Sequence, residues 1–290
     1  MKILVTGATG NTGSEVTRQL LAAGHAVRVL AHSADSAAKL PDGVEIQMGD
    51  FDDASALAAA FNGVEAAYAL TPVNPKSAEW MQRLVDVAQS CGVRRFVKLS
   101  GMTAGANSPA ALIRSHGQTD AYLRQSGIGY TIIQPNSFMQ NLLWSVETIR
   151  SQGAFYQPTG DAKQSLVDIA DVAAVVVKAL TEDGHLGQTY VLTGPESLSF
   201  DMVADKIASA IGKPVHYVAV PGVAAEQSML TAGMPAWMAH TLVEFYSAVA
   251  TGAFAATTPD VQSLLGRPAT SFDAFMARHA ALFGEQGNGT

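Results

Sequence analysis

Near the start of the chain an apolar run of strand type, Ile3-Leu4-Val5, leads directly into Gly7-Ala8-Thr9-Gly10-Asn11-Thr12-Gly13, and an amphipathic helical pattern follows at once. Three glycines at this spacing, between a buried strand and a helix, leave few folds open. Gly7 supplies a tight turn, Gly10 lets backbone approach a pyrophosphate with no Cβ in the way, and Gly13 lets the helix lie close against the strand. The N–H groups of Asn11 and Thr12, at the start of the helix, then face the phosphates. A glycine-rich loop without a ligand is the competing reading, and the strand–turn–helix context favours the dinucleotide.

The rest of the N-terminal half repeats the same unit. Strands are expected at Lys2–Thr6, Ala26–Ala31, Glu45–Met48, Ala66–Leu70, Arg95–Ser100 and Tyr130–Gln134, each rich in β-branched, Leu or aromatic residues. Helical patterns lie between them at Gly13–Ala23, Ala54–Asn62, Ser77–Cys91 and Ser115–Ser126, and each is followed by a glycine (Gly24, Gly63, Gly92, Gly127) placed as a C′ cap. The fold class that results is α/β, a Rossmann-type doubly wound parallel sheet. A helix at Ile169–Leu180 and a strand at Thr189–Thr193 point to a return to the sheet within about 163–195. The expected division is a dinucleotide-binding domain over 1–134 and a smaller, mainly helical substrate lobe over 135–290, with a frayed tail at 284–290.

Composition narrows the function classes. Hydrophobic residues make up 48% of the 290 and charged residues 15%, which describes a packed enzyme-like chain. A formal net charge of −7 with no basic block argues against a nucleic-acid partner. Cys91 is the single cysteine, and no His/Asp/Glu grouping has metal spacing, so neither a disulfide framework nor a metal site is expected. No basic segment with a long apolar core precedes the first strand, and the apolar stretches at 169–180 and 245–256 are too short to cross a bilayer. The expectation is a cytoplasmic protein with no membrane partner, with monomer and homodimer both open.

Past the second strand, where an NAD-selective site carries Asp or Glu, the chain has His32 and Ser33. Neither repels a 2′-phosphate, so NADP(H) is favoured, with NAD(H) as the second cofactor. After the third strand, Asp50 and Phe51 place a carboxylate and an apolar wall at the carboxyl end of the sheet, where adenine binds. Asp50 serves equally well as a turn or cap residue.

Beyond the glycine turn the chain carries Gly49-Asp50-Phe51, Val97-Lys98-Leu99-Ser100, His116-x-x-x-Asp120, Ser126-Gly127-Ile128 and Asn136-x-Phe138-Met139-Gln140-Asn141. Val167 to Ala173, Leu192 to Glu196 and Gly266-Arg267-Pro268 extend the pattern to nearly the whole length. With these motifs the sequence resembles the NmrA-like atypical short-chain dehydrogenases, nearest the quinone oxidoreductases and triphenylmethane-dye reductases that draw hydride from NADPH. Other members of the family are non-catalytic redox sensors. The resemblance implies cofactor contacts from Thr9, Gly10, Asn11, Thr12, His32, Asp50, Phe51 and the Leu70-Thr71-Pro72 loop. His32 stands where relatives often carry an Arg for the 2′-phosphate.

Ordinary short-chain dehydrogenases use a Tyr with a Lys four residues later. Here Tyr122 is followed by Ser126, so neither that dyad nor carbonyl reduction through it is expected. A quinone or cationic dye is electrophilic enough to take hydride by positioning alone. Ser100, His116 and Asn136 are the candidates for positioning, with Gly101 leaving room beside the ring. Phe138, Met139 and Trp237, with the Met- and aromatic-rich stretch 229–246, are the candidates for an apolar substrate pocket. For His116 a helix-surface or cap role weighs equally with a cofactor-facing one. The expected function is hydride transfer from NAD(P)H to an aromatic, quinone-like or dye-like acceptor, with a cofactor-binding redox sensor as the alternative.

Overall fold

The computed structural model describes residues 1–284. The chain divides into two compact units, the first made of Met1–Ser108, Ile113–Pro135 and Ile169–Val191, the second of Pro109–Leu112, Asn136–Asp168 and the residues from Leu192 on.

In the first unit strands and helices alternate: β1 (Lys2–Val5), α1 (Asn11–Ala22), β2 (Ala26–Ala31), α2 (Ala34–Ala37), β3 (Glu45–Met48), α3 (Ala54–Phe61), β4 (Ala66–Ala69), α4 (Ser77–Ser90), β5 (Arg95–Leu99), α5 (Ala111–Gln125) and β6 (Tyr130–Pro135). The strand order of the seven-stranded sheet is β3-β2-β1-β4-β5-β6, with a later strand, Gln188–Leu192, outside β6. Strands β1 to β6 pair in parallel. That order reverses between β1 and β4, the switch point at which doubly wound sheets hold nucleotides. On one face Leu57, Phe61, Leu84, Val85, Phe96, Leu123 and Ile132 pack into a single apolar cluster. On α1 the buried face is Thr12, Gly13, Val16, Thr17 and Leu20, and α1 packs along the returning helix at 169–181. The four capping glycines take left-handed φ of +70° to +80° (Gly24, Gly63, Gly92, Gly127), as their positions require.

The second unit contains α6 (Val146–Gln152) and β7 (Ala154–Gln157), after which the chain returns to the first unit through α7 (Ile169–Thr181) and β8 (Gln188–Leu192). It continues with α8 (Phe200–Ile211), β9 (His216–Ala219), α9 (Gly222–Thr231), α10 (Ala236–Ala250), α11 (Asp260–Leu265) and α12 (Phe272–Gly284). Phe155, Phe200, Val203, Ile207, Phe272, Phe275 and Phe283 are among the side chains of its core.

The return to the sheet occupies 169–191, and Pro109–Leu112 is grouped with the second unit. Helix α5 begins at Ala111, four residues before Ser115, because Ala111 to Arg114 continue its pattern and bury Ile113. The second unit is mainly helical and adds one strand pair: β7 and β9 pair in parallel, in register from Ala154 with His216 to Gln157 with Ala219. Four-residue strands without clean alternation leave almost no periodic signal. The frayed end expected at 284–290 lies, from 285 on, outside the described residues. No helix among the described residues is long and apolar enough to cross a membrane.

Candidate functional site

The glycine turn is held from below by Thr6, whose N–H donates to the Tyr68 carbonyl at 3.1 Å and whose Oγ1 donates to the Leu70 carbonyl at 2.8 Å. Leu70 N–H donates back to Thr6 Oγ1, so the ends of β1 and β4 are locked together where the switch point opens. Gly7 has φ of +66°, and Gly10 N–H donates to its carbonyl at 2.9 Å. A Cβ on Gly13 would stand 2.2 Å from that carbonyl oxygen and 2.6 Å from its carbon, both backbone atoms, so glycine there is a steric requirement. Gly10 is the N-cap of α1 and offers no side chain to the helix end, and no acidic residue lies in the first turn. The N–H groups of the first turn therefore face outward at the positive end of a twelve-residue helix, with Thr9, Gly10 and Asn11 exposed. This surface fits a dinucleotide pyrophosphate. Inside the turn the Tyr68 hydroxyl is fully buried and without a hydrogen-bond partner, close to the Thr12 side chain.

The other candidates for cofactor contact ring the carboxyl end of the sheet. His32 is exposed at the end of β2, its ring nitrogens 3.2–3.3 Å from Ser36 Oγ, while Ser33 caps α2 by accepting from Ser36 N–H at 3.1 Å. Asp50 Oδ1 accepts from Asp52 N–H at 2.8 Å and Asp53 N–H at 3.1 Å, so the turn role open in the sequence is present. Gly49 is forced: its Cβ would lie 2.2 Å from the Ala56 Cβ of α3. Phe51 packs on Trp80 with ring centroids 5.5 Å apart. In the 70–77 loop, Ser77 Oγ donates to the Pro72 carbonyl at 2.7 Å, and Leu70 and Thr71 are half-buried.

A polar cluster lies between the end of β5 and α5. Lys98 and Ser100, two apart on β5 and its exit, face the same way; His116 and Asp120, four apart, share one face of α5. Asp120 accepts from Lys98 Nζ at 2.7 Å, from Ser100 Oγ at 2.8 Å and from Gln134 Nε2 at 2.9 Å. Lys98 and Asp120 are an ion pair with side chains only 1% and 2% exposed. Burial pulls the Lys98 ammonium below its usual range, with the Asp120 charge opposing the fall. Burial, and then the Lys98 charge, push the His116 imidazolium well below its ordinary value despite Asp120, so His116 is neutral at physiological pH. The His116 ring lies beside Gly101, 3.5 Å from where a Cβ there would stand, and Ser100 N–H is anchored to the Ile133 carbonyl at 2.7 Å. The loop after Gly101 is pressed on α5, since a Cβ on Gly117 would sit 2.2 Å from the Gly105 carbonyl carbon. Thr103 in that loop has φ of +64°.

The ion pair and Gly117 escaped the sequence reading. The signal was the coincidence of an i, i+2 polar pair on a strand with an i, i+4 polar pair on the next helix.

In the second unit the proposed roles of Asn136 and Met139 are corrected. Asn136 is buried, its Nδ2 donates to Ser165 Oγ at 2.7 Å and the Phe254 carbonyl at 2.8 Å, and its Oδ1 accepts from Ser137 N–H at 2.7 Å. Its whole amide is committed to joining three segments of chain, leaving no donor for a nicotinamide. Met139 is 1% exposed in the apolar core beside Leu142 and Ile149, not on a pocket wall. Phe138 is half-buried and bridges to Val167, and Trp237 is 38% exposed on α10. Among the described residues no group of three or more His, Cys, Asp and Glu stands close enough to hold a metal ion.

Fold and turn together define a dinucleotide-binding protein of the Rossmann type. The NmrA-like family matches residues 1–276, and the chain belongs to it. It is 39% identical to an NAD(P)H azoreductase of Xenophilus azovorans over 283 residues, covering 97% of this chain and 99% of that one. It is 37% identical over 284 residues to the (4-alkanoyl-5-oxo-2,5-dihydrofuran-3-yl)methyl phosphate reductase of Streptomyces griseus, with 97% and 99% covered. The NADPH-dependent quinone oxidoreductase of Escherichia coli, solved with NADPH, superposes with a TM-score of 0.85 at 25% identity, over 95% of this chain and 99% of that one.

Proposed function

We propose that the protein is an NAD(P)H-dependent oxidoreductase that reduces quinone-like or azo-dye-like acceptors without an acid of its own. The relatives support the cofactor and the reaction class: an azoreductase and a phosphate-ester reductase in sequence, and a quinone oxidoreductase in structure. The observation that carries the absence of an acid is the state of α5. Its one tyrosine, Tyr122, donates its hydroxyl to Asp86 at 2.6 Å, which raises that phenol's ionisation, and Ser126 follows where a lysine would lower it. Lys98 is tied to Asp120, and His116 is neutral.

The α1 N-terminus and the open Gly10 backbone hold the pyrophosphate, and His32 and Ser33 stand where a 2′-phosphate lies. NAD(P)H supplies the hydride. Ser100, fixed by Asp120, and His116 form a rigid polar wall that positions the reacting groups. A quinone that gains hydride becomes a hydroquinone monoanion, which takes the single proton it still needs from water, so no enzymic donor is needed.

The test is cofactor oxidation at 340 nm with 1,2-naphthoquinone and with cyclohexanone. Turnover with the quinone and none with the ketone is expected. Tight NADPH binding with no turnover on any quinone or azo acceptor would establish the sensor function instead.

A further inference from the structure

In the first unit, the loop after β3 that carries Asp50 and Phe51 is tied to the first turns of α4 by a network of polar contacts. The Asp52 carboxylate accepts from Trp80 Nε1 at 3.1 Å, from Lys76 Nζ at 3.1 Å and from Arg83 Nη1 at 3.2 Å. Arg83 Nη1 also donates to the Phe51 carbonyl at 2.7 Å, and its Nη2 donates to Glu79 Oε1 at 2.8 Å. Lys76, at the N-cap, Trp80 and Arg83 are spaced i, i+4, i+7 and so share one face of the helix. The Trp80 donor first, and then Lys76, hold the Asp52 carboxyl below the usual carboxylate range.

Three neighbouring acids anchor this loop in three directions. Asp50 closes the turn on itself; Asp53 caps α3, accepting from Ser55 N–H at 2.9 Å and Ala56 N–H at 3.0 Å; Asp52 reaches α4. Phe51, the apolar residue among them, is half-buried, packed on the core cluster with Trp80 beside its ring. The same end of α4 holds the loop after β4: Asn74 N–H donates to Ser77 Oγ at 2.8 Å, and Ser77 Oγ donates to the Pro72 carbonyl. The Asp52 and Lys76 side chains are 45% and 54% exposed, and exposed ion pairs add little to stability. The network therefore does little for folding and much for the placement of one aromatic ring. A flat base that stacks on a ring already fixed meets a smaller ordering cost than on a free one.

We propose that the first two turns of α4 are the positioning element for the adenosine half of the cofactor, with Asp52, Trp80 and Arg83 setting its affinity by fixing Phe51. The inference rests on the reading that places the adenine against Phe51. The glycine turn holds the pyrophosphate and the β5–α5 cluster stands at the reacting end, so loss of the α4 network weakens cofactor binding without slowing hydride transfer in the bound complex.

Two measurements test it: isothermal titration with adenosine 2′,5′-bisphosphate, which lacks the nicotinamide half, and steady-state reduction of 1,2-naphthoquinone with NADPH varied. Asp52→Ala, Trp80→Leu and Arg83→Met are each expected to raise the bisphosphate Kd and the KM for NADPH at least fivefold, with kcat within twofold and the melting temperature lowered by no more than about 3 °C. Arg94→Met, which breaks an exposed ion pair with Glu65 before β5, is expected to change none of these. Because Asp52 acts through Phe51, adding Asp52→Ala to Phe51→Leu is expected to raise the Kd by less than twofold beyond Phe51→Leu alone. A bisphosphate Kd within twofold of wild type in the three variants overturns the inference. So does an Asp52→Ala effect of full size on the Phe51→Leu background, or a fall in kcat with the KM for NADPH unchanged. A wild type that binds the bisphosphate and turns over no quinone is a failure of the reductase function alone, and the two Kd comparisons still decide the inference.

Discussion

Replacing Asp120 by Asn keeps the shape of the β5–α5 cluster and removes its charge. In the native protein the carboxylate accepts three hydrogen bonds, from Lys98, Ser100 and Gln134, at 2.7–2.9 Å. The asparagine has one acceptor oxygen and turns an NH2 toward groups that are themselves donors. More important, the Lys98 side chain, 1% exposed, is left as a buried cation without a counter-charge. Breaking a buried pair on one side costs about 3–5 kcal/mol. Replacing both partners by apolar residues of similar size, as in Lys98→Met with Asp120→Leu, is expected to recover most of that loss.

The pH dependence has a definite sign. Lys98 already ionises below its unfolded value, because burial disfavours the ammonium, and Asp120→Asn lowers it further. The unfolded chain then binds the proton that the folded variant rejects, so stability rises with pH through the window between the folded and unfolded lysine values. The penalty is complete below the folded value and vanishes above the unfolded one, about 10.4. Urea unfolding at pH 7 and pH 9.5 measures both effects. A loss under about 1 kcal/mol at pH 7, or a gap from wild type that widens as the pH rises, would refute the buried-pair reasoning.

The glycine turn separates a folding role from a binding role. Gly13→Ala should lower stability by about 1–3 kcal/mol through overlap with the Gly7 carbonyl, although alanine is the better helix former by about 1 kcal/mol; unchanged urea midpoints would contradict this. Gly10→Val meets only the Gly7 oxygen, at 3.3 Å from the new Cβ, so the variant should fold and yet bind NADPH at least tenfold more weakly (~1.4 kcal/mol) in a fluorescence titration. Tyr68→Phe removes a buried hydroxyl that has no partner, and the melting temperature of the cofactor-free protein should stay level or rise. A fall equivalent to more than about 1 kcal/mol would show that the hydroxyl makes a hydrogen bond after all.

What could be read in advance follows the range of the interactions. Strands β1 to β6 and helices α1, α3, α4 and α5 were legible because each is local and each of these helices is followed by a glycine with positive φ, whereas the four-residue α2 at Ala34–Ala37 left no periodic signal. The turn at Gly7 to Gly13 was legible for the same reason: its chemistry is contained in seven consecutive residues. The β7–β9 pair was not, because it joins residues about sixty apart through two four-residue strands. Asn136 was misread on similar grounds. Its partners, Ser165 and Phe254, lie 29 and 118 residues away, and an asparagine after a strand looks the same whether its amide faces a ligand or the protein's own backbone. The Lys98–Asp120 pair was present in the motifs, but only the three-dimensional crossing of β5 and α5 shows that the two charges are buried together.

Hydride transfer without an enzymic acid is tested most directly by the pH dependence of the chemical step. In a single turnover of the NADPH complex mixed with excess 1,2-naphthoquinone, the rate constant for loss of 340 nm absorbance is followed from pH 6 to pH 9. His116 is neutral throughout that range, because burial and Lys98 depress its protonation, and water supplies the proton to the hydroquinone monoanion. A rate constant that varies by less than twofold is the expected result, with His116→Gln showing the same flat profile at a lower level. A rate that falls tenfold per pH unit through an apparent pKa inside the window, and loses that dependence in His116→Gln, would contradict it and identify His116 as the acid.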